Sequence, residues 1–211
     1  MFRILKMISL LKKEYPNSKT SLSFRNPLES LVATILSAQC TDKRVNIVTK
    51  DLFKKYRTAK DYANVKLEEL QNDLKSINFY RNKSKAIKET GRILVNEFKG
   101  KVPNKMDDLL KLRGVSRKTA NAILGNAFHI YEGYVVDTHN IRLSNRLGLT
   151  KNKDPKKIEQ DLMKIVPKNE WLNLSHLFID HGRKICKAPV PICSECVLEK
   201  MCPKIGVIRK K

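Results

Sequence analysis

The sequence predicts an all-α protein. Apolar residues recur at helical spacing along most of the 211 residues. Alternation of apolar and polar residues, which would indicate strands, is weak throughout, and the pair at 135–136 (VV) is the best strand candidate. Eight glycines and eight prolines are too few for a turn-rich β-sandwich. This length and a hydrophobic content of 41% are enough for one or two domains with their own cores.

Start and stop signals place the helices along the chain. Residues 1–16 have an amphipathic helical pattern, and residues 26–29 (NPLE) combine an N-cap asparagine with a first-turn proline before an apolar, buried helix. Thr41 can cap the next helix, Gly100 and Gly148 mark two helix ends, and residues 154–155 (DP) begin another helix. Further helices are predicted at 67–76, 84–98, 105–112, 116–129, 138–147, 155–165 and 169–185.

The charge of the chain favours a polyanionic partner. Lys and Arg number 43 against 21 Asp and Glu, which gives a formal net charge of +22 at pH 7. Nucleic acid is the simplest such partner, although a lysine bias in the genome would produce the same excess. The longest apolar stretch, residues 31–38, is too short to span a bilayer, and no signal-peptide cleavage site follows the N-terminal helix. We therefore expect a cytoplasmic protein, associated with the nucleoid in a prokaryote, that has no membrane partner.

Residues 105–129 are predicted to form a helical hairpin with a tight turn at Gly114. Apolar residues at 120, 123, 124, 127 and 128 form one stripe on the second helix, so Arg117, Lys118 and Asn121 lie on or near its open face. A turn followed by a helix N-terminus presents unpaired backbone N–H groups, which can bind a phosphate. Ordinary helical hairpins share this pattern, so it becomes specific only together with its neighbours.

Four of the five cysteines form a C-x6-C-x2-C-x5-C array at Cys186, Cys193, Cys196 and Cys202. Disulfides are not expected in the cytosol, and four thiolates can surround one metal centre. A zinc ribbon usually repeats the C-x2-C knuckle twice, whereas only one occurs here, and four cysteines also suit a [4Fe–4S] cluster. Four thiolate ligands suit either a zinc ion or a [4Fe–4S] cluster, so the chemistry of the ligands leaves both metal centres open. Cys40 is expected to be a packed residue rather than a ligand.

Several motifs together resemble one known family. The chain is similar to the helix–hairpin–helix DNA glycosylases and, within them, most similar to the endonuclease III family. The resemblance covers nearly the whole chain and rests on the C-terminal cysteines and on residues 36–39 (LSAQ), 41–42 (TD), 79–83 (FYRNK), 112–121 (LRGVSRKTAN), 135–139 (VVDTH), Arg142 and 145–148 (NRLG).

The resemblance implies two helical domains flanking a DNA-binding cleft. A six-helix domain at 23–131 would contain the helix–hairpin–helix motif, and residues 1–22 with 132–211 would form the iron–sulfur domain. The same resemblance implies that the four cysteines of the array bind a [4Fe–4S] cluster, which fixes the C-terminal loop. Between the first two of these cysteines only Lys187 is basic, so the contribution of this loop to phosphate binding is smaller than is usual in the family.

The resemblance also implies roles for individual residues. Lys118 and Asp137 match the catalytic lysine and aspartate of the family, and Asp137 also has the position of a helix N-cap before Thr138. Gln39 would fill the space opposite the orphan base, and Phe79 would be the wedge. The other implied DNA contacts are Lys83, Gly114, Ser116, Arg117, Arg142 and Lys187.

These residue types suit cleavage of an N-glycosidic bond. A carboxylate stabilises the positive charge that develops at the sugar C1′. A neutral amine can attack that carbon and form a Schiff base, from which β-elimination breaks the strand. We therefore expect a monomeric, bifunctional DNA glycosylase and abasic-site lyase. It would remove oxidised pyrimidines from double-stranded DNA in base excision repair after flipping the nucleotide.

The chain departs from the family pattern at three positions. Arg113 and Ser116 replace residues of the usual L-P-G-V-G hairpin, and Asn78 replaces a frequent glycine before the wedge. We expect the hairpin turn to persist, Ser116 to cap the helix, and Asn78 to be a mild change because asparagine tolerates left-handed geometry.

Two other interpretations stay open. One is a monofunctional relative that removes adenine or a mismatched thymine or uracil, but such relatives generally lack a lysine at position 118. The other is a DNA-binding or redox-sensing protein without catalysis, against which the presence of both Lys118 and Asp137 argues.

Overall fold

The computed structural model describes residues 2–211 and confirms the all-α class. No strand occurs in this part of the chain, and residues 135–136 lie in a loop. The predicted N-terminal helix and domain include Met1, which lies outside the described residues. The α-helices are α1 (Phe2–Glu14), α2 (Pro27–Ser37), α3 (Asp42–Lys55), α4 (Ala59–Asn64), α5 (Leu67–Asp73), α6 (Tyr80–Glu97), α7 (Met106–Leu109), α8 (Arg117–Phe128), α9 (Thr138–Arg146), α10 (Pro155–Ile165) and α11 (Trp171–Lys184).

The chain divides into two compact units. One is Thr20–Glu132 and contains α2–α8, and the other joins the described residues up to Lys19 to Gly133–Lys211. The first unit has seven helices within the described residues, where the sequence predicted six. The additional one is α4, a six-residue helix that begins with a capping box formed by Thr58 and Asp61. None of the helices from residue 2 onward is both long and apolar enough to cross a membrane.

Helix α2 is the centre of the Thr20–Glu132 unit. It packs against α3, α6 and α8, and its side chains Leu31, Ala33 and Leu36 are 0% exposed. The predicted burial of this helix is therefore confirmed. Helix α6 packs closely against α4 because Gly91 has no side chain. A Cβ at this position would lie 2.8 Å from the backbone nitrogen of Ala63.

The second unit is built from both ends of the sequence. Helix α1 packs against α11, and α9 contacts both α10 and α11. Met7 and Leu11 from α1, and Leu174 and Phe178 from α11, are fully buried. The guanidinium of Arg3 donates to the carbonyl oxygen of Leu147 at 2.7 Å, which ties the N-terminal helix to the end of α9.

Candidate functional site

The predicted hairpin connects α7 to α8 through a turn at Gly114. The φ angle of Gly114 is +83°, a value that favours glycine because a Cβ would clash with the following carbonyl. The hydroxyl of Thr90 donates to the carbonyl oxygen of Arg113 at 3.0 Å and so attaches the turn to α6. The tight turn expected at this position is therefore present.

Ser116 caps α8. Its backbone is extended, with φ −90° and ψ 168°, and its hydroxyl oxygen accepts from the backbone N–H of Thr119. This conformation does not need a glycine, so the departure from the family pattern is accommodated here, and the expected cap is confirmed. Arg117 and Lys118 are the first two residues of α8, and Lys118 is exposed. The N-terminus of α8 therefore combines backbone N–H groups, which attract anions, with an accessible amine.

Asp137 is the N-cap of α9, as its position in the sequence suggested. Its Oδ1 accepts from the backbone N–H of Asn140 at 2.8 Å and from the side-chain Nδ2 of the same residue at 2.9 Å. Its carboxylate is half-buried, so the fold fixes its orientation while solvent still reaches it.

A buried polar network positions Asn140 in turn. The Tyr134 hydroxyl donates to Asn140 Oδ1 at 2.8 Å, and Asn140 Nδ2 also reaches the carbonyl oxygen of Ser175 at 3.3 Å. Tyr134, Asn140 and Ser175 are each at most 1% exposed. Burial raises the pKa of Tyr134 well above its usual value, which keeps its proton available for the hydrogen bond. Sequence reasoning missed this network, and its one local signal was Asn140 three residues after the cap.

Gln39 and Phe79 are both exposed, and both adopt left-handed backbone conformations. Gln39 follows α2 with φ 52°, and Phe79 precedes α6 with φ 59°. Phe79 is 61% exposed, which is unusual for so large an apolar side chain. The left-handed residue before α6 is thus Phe79 and not Asn78, for which the sequence suggested that geometry. The side-chain Nδ2 of Asn78 instead donates to the carbonyl oxygen of Gln39 at 2.7 Å.

Lys83 is buried, with 7% of its surface exposed. Its Nζ donates to the carbonyl oxygens of Leu36 at 2.8 Å and Ala38 at 2.6 Å. Burial lowers the pKa of Lys83. The amine therefore binds the end of α2, which differs from the phosphate contact expected for this residue.

Arg142 holds the segment around the first cysteine of the array. Its Nε donates to the carbonyl oxygen of Cys186 at 3.0 Å, and its Nη2 donates to that of Gly182 at 3.0 Å. The Arg142 guanidinium is half-buried and donates to these backbone carbonyls. This differs from the phosphate contact expected for Arg142. Lys187, the neighbour of Cys186, is exposed.

The four cysteines of the array line one cavity. Its wall includes Cys186, Cys193, Cys196 and Cys202 together with apolar side chains such as that of Leu143. All four are free thiols. Burial raises the pKa of Cys196 to about 11. Among residues 2–211, no three His, Cys, Asp or Glu side chains converge closely enough to hold a single metal ion. Cys40 belongs to the Thr20–Glu132 unit and packs against the core of that unit, as expected.

Two side chains that sequence reasoning did not consider as partners of the cysteines approach their sulfur atoms. Arg146 Nη1 lies 3.3 Å from Cys186 Sγ. His181 Nε2 lies 3.3 Å from Cys196 Sγ, and its Nδ1 lies 2.9 Å from the Tyr15 hydroxyl. His181 is 2% exposed, and burial lowers its pKa to about 4, so the imidazole is neutral at pH 7.

Comparison with known proteins assigns the family. The family described as HhH-GPD superfamily base excision DNA repair protein matches residues 32–168. Endonuclease III of Synechocystis sp. is 50% identical over 201 residues, which cover 95% of this chain and 92% of that protein. The chain belongs to the endonuclease III family. Endonuclease III of Bacillus subtilis is 47% identical over 189 residues, covering 89% and 86% of the two chains.

A solved structure of the endonuclease III family supports the same assignment. It is a trapped endonuclease III–DNA covalent intermediate, described as an estranged-adenine complex. It matches with a TM-score of 0.89 and 44% identity, and the match covers 96% of this chain and 95% of that chain. The fold described above is therefore that of the endonuclease III family.

We expect Asn140→Ala to destabilise the protein, because it leaves the Tyr134 hydroxyl buried without its acceptor. The cost should be about 1–3 kcal/mol in the free energy of unfolding. The double variant Tyr134→Phe, Asn140→Ala removes both partners and should recover part of that loss. Urea denaturation of the two variants and of Tyr134→Phe checks this. A double variant whose loss equals the sum of the single losses would contradict the coupling.

Proposed function

We propose that this DNA glycosylase and abasic-site lyase of base excision repair acts on oxidised pyrimidines, with Lys118 as nucleophile. The observation that carries the proposal is the position of Lys118. Its exposed amine is on the first turn of the hairpin helix, beside N–H groups that suit a DNA phosphate. The trapped covalent complex, formed by a protein 44% identical to this chain, supports covalent chemistry for the family.

The reaction begins with attack of the neutral Lys118 amine at C1′ of a flipped nucleotide. The C1′–N bond to the base breaks, and the base leaves with the bonding electrons and gains a proton. The Asp137 carboxylate stabilises the positive charge that develops on the sugar. Its cap bonds to Asn140 hold it in one orientation throughout, so no reorganisation is needed in the transition state.

The lyase step follows from the same covalent bond. Cleavage of the C1′–O4′ bond opens the sugar ring and converts the amine adduct to a protonated Schiff base, while O4′ gains a proton from water. A general base then removes the C2′ proton, and the C2′–H electrons move toward the Schiff base. The C3′–O bond then breaks, and the 3′ phosphate leaves with its electrons. Water hydrolyses the remaining imine and releases the Lys118 amine.

DNA binding in this proposal uses the hairpin and two exposed turns. Gly114, Ser116 and Arg117 border the site for a backbone phosphate, and Lys187 adds a cation beside the cysteine segment. Gln39 and Phe79 enter the duplex where the nucleotide leaves. The exposed left-handed turns support this role, because they project both side chains away from the core. We also propose that the protein acts as a monomer and is nucleoid-associated in a bacterial cell, since its net charge of +22 favours DNA.

We propose that the four cysteines of the array hold a [4Fe–4S] cluster. The donor set fits, because four free thiols line one cavity and four thiolates are the ligands that such a cluster takes. A zinc ribbon usually repeats the C-x2-C knuckle twice, whereas this array contains it once. When bound, the cluster supplies a rigid four-point tether for residues 186–202. Arg146 and His181 would donate hydrogen bonds to two of the thiolates.

Borohydride trapping of Lys118→Ala tests the nucleophile. Wild type should form a covalent adduct with duplexes that contain thymine glycol or an abasic site, and the variant should form none, because the attacking amine is gone. The matched control is Lys105→Ala, which removes one exposed charge from the start of α7 and should trap like wild type. An adduct on the abasic duplex alone would contradict the assignment to oxidised pyrimidines. No wild-type adduct on either duplex would favour a monofunctional enzyme.

Asp137→Asn should separate charge stabilisation from helix capping. Asparagine caps helices as well as aspartate does, so the melting temperature should change little. Loss of the negative charge should slow base release by about 100- to 1,000-fold in single-turnover assays. Trapping on a preformed abasic site should persist, since that reaction does not break the bond to a base. Unchanged base release would show that the Asp137 carboxylate is not the stabilising charge.

The cluster is tested by metal content and visible absorption. Anaerobically purified protein should contain about four iron atoms per chain and show the brown-yellow visible absorption of an iron–sulfur cluster. Cys196→Ser should lose iron and absorbance, whereas Cys40→Ser, which changes the fifth cysteine, should keep both. Stoichiometric zinc without iron in protein purified from iron-replete cells would contradict the assignment.

A further inference from the structure

We infer that Asn78 is a positioning residue that joins the turn of Gln39 to the turn of Phe79, so that both side chains meet the DNA as one preorganised unit. The inference rests on the proposed function of these two side chains.

The left-handed conformation of these two turns has to be held by the structure around it. Gln39 and Phe79 both lie in the left-handed region, at φ 52° and φ 59°. Side chains other than glycine rarely adopt this conformation, and it persists only where the surrounding structure holds it. The Phe79 turn is held by its own helix, because its carbonyl oxygen accepts from the N–H groups of Asn82 and Lys83 at 3.1 Å each. The Gln39 turn follows the last residue of α2 and has no such helix after it until Asp42.

Lys83 provides the first connection between the turns. It lies in the first turn of α6, four residues after Phe79, and its buried amine binds the carbonyl oxygens of Leu36 and Ala38. A cation at these carbonyls suits the negative end of the α2 dipole. This connection fixes the backbone up to the residue before Gln39.

Asn78 provides the second connection. Its side-chain Nδ2 donates to the carbonyl oxygen of Gln39 itself at 2.7 Å. Asn78 directly precedes Phe79, so this bond connects the two left-handed turns directly. Asn78 is exposed and its φ angle is outside the left-handed region. Alanine can therefore replace it without backbone strain and without leaving a buried polar group.

Preorganisation of this kind affects recognition more than folding. A Gln39 carbonyl that is already fixed lowers the ordering cost when the side chain enters the duplex. It also sets the direction from which the Gln39 amide meets the base opposite the lesion. Loss of the Asn78 bond should therefore weaken binding to a lesion site and reduce discrimination among the opposite bases, while binding to undamaged DNA stays the same.

The test measures dissociation constants for duplexes with a tetrahydrofuran abasic-site analogue opposite each of the four bases, and for an undamaged duplex, at one salt concentration. Asn78→Ala should weaken binding to the most tightly bound lesion duplex by about 3- to 10-fold, the range expected for one hydrogen bond. The dissociation constants for the four opposite bases should also become more similar to one another. Asn78→Gly should behave in the same way. Asn96→Ala, an exposed asparagine near the far end of α6, is the matched control and should bind like wild type.

A double-mutant cycle with Gln39→Ala distinguishes positioning from a direct contact. If Asn78 acts through Gln39, then Asn78→Ala should have no further effect on lesion binding in the Gln39→Ala background. An equal loss in both backgrounds would overturn the inference, as would wild-type affinities and opposite-base ratios in Asn78→Ala. Borohydride trapping of wild type distinguishes a failure of this inference from a failure of the proposed function. If wild type traps normally and Asn78→Ala leaves lesion binding unchanged, this inference alone is overturned. If wild type neither forms the covalent adduct nor binds lesion duplexes more tightly than undamaged DNA, the proposed function is overturned as well.

Discussion

An α-helix leaves its first N–H groups and its last C=O groups without partners inside the helix. In this chain the side chains that satisfy those groups lie beside the candidate functional residues. Ser116 caps α8 next to Lys118, and Asp137 caps α9 with its own carboxylate. Lys83 binds the last carbonyls of α2 one residue before Gln39. The chain leaves the core at each helix end, so residues next to a capped end are both fixed in position and accessible. The candidate functional residues lie at such ends.

In the proposed mechanism, stability and chemistry depend on the same atoms. Asp137 illustrates the overlap, since one of its oxygens already accepts two hydrogen bonds from Asn140. Those bonds stabilise the start of α9 and at the same time hold the carboxylate in a fixed direction. The buried tyrosine and serine behind Asn140 extend the support into the core. A carboxylate held in this way is oriented before any ligand binds, as the proposed stabilisation of a transition state requires.

Local sequence signals predicted the features that depend on near neighbours. The caps at Asn26, Thr41, Ser116 and Asp137 and the turn at Gly114 were all readable, because cap and turn chemistry involves residues at most four positions apart. Helix α4 was missed since six residues are too few to show a periodic apolar pattern.

The features that sequence reasoning missed depend on distant partners. Lys83 and Arg142 were expected on the surface, as most basic residues are, yet carbonyl groups 47 and 44 positions away bind them. The same holds for His181, whose ring nitrogen meets the hydroxyl of Tyr15, 166 positions earlier. Nothing in the neighbouring sequence of any of these residues indicates the partner, so only the packed structure identifies it.

The unit formed from both ends of the sequence has a consequence for synthesis on the ribosome. The core of residues 20–132 contains no residue from the later part of the chain, and domains generally fold as units in the order of synthesis. Helix α1 is made first but has to wait for α11. During that interval Ile4, Met7 and Leu11, which are buried in the finished protein, have no surface to cover them. The core of this unit therefore closes last, only after all of the chain between α1 and α11 has been made.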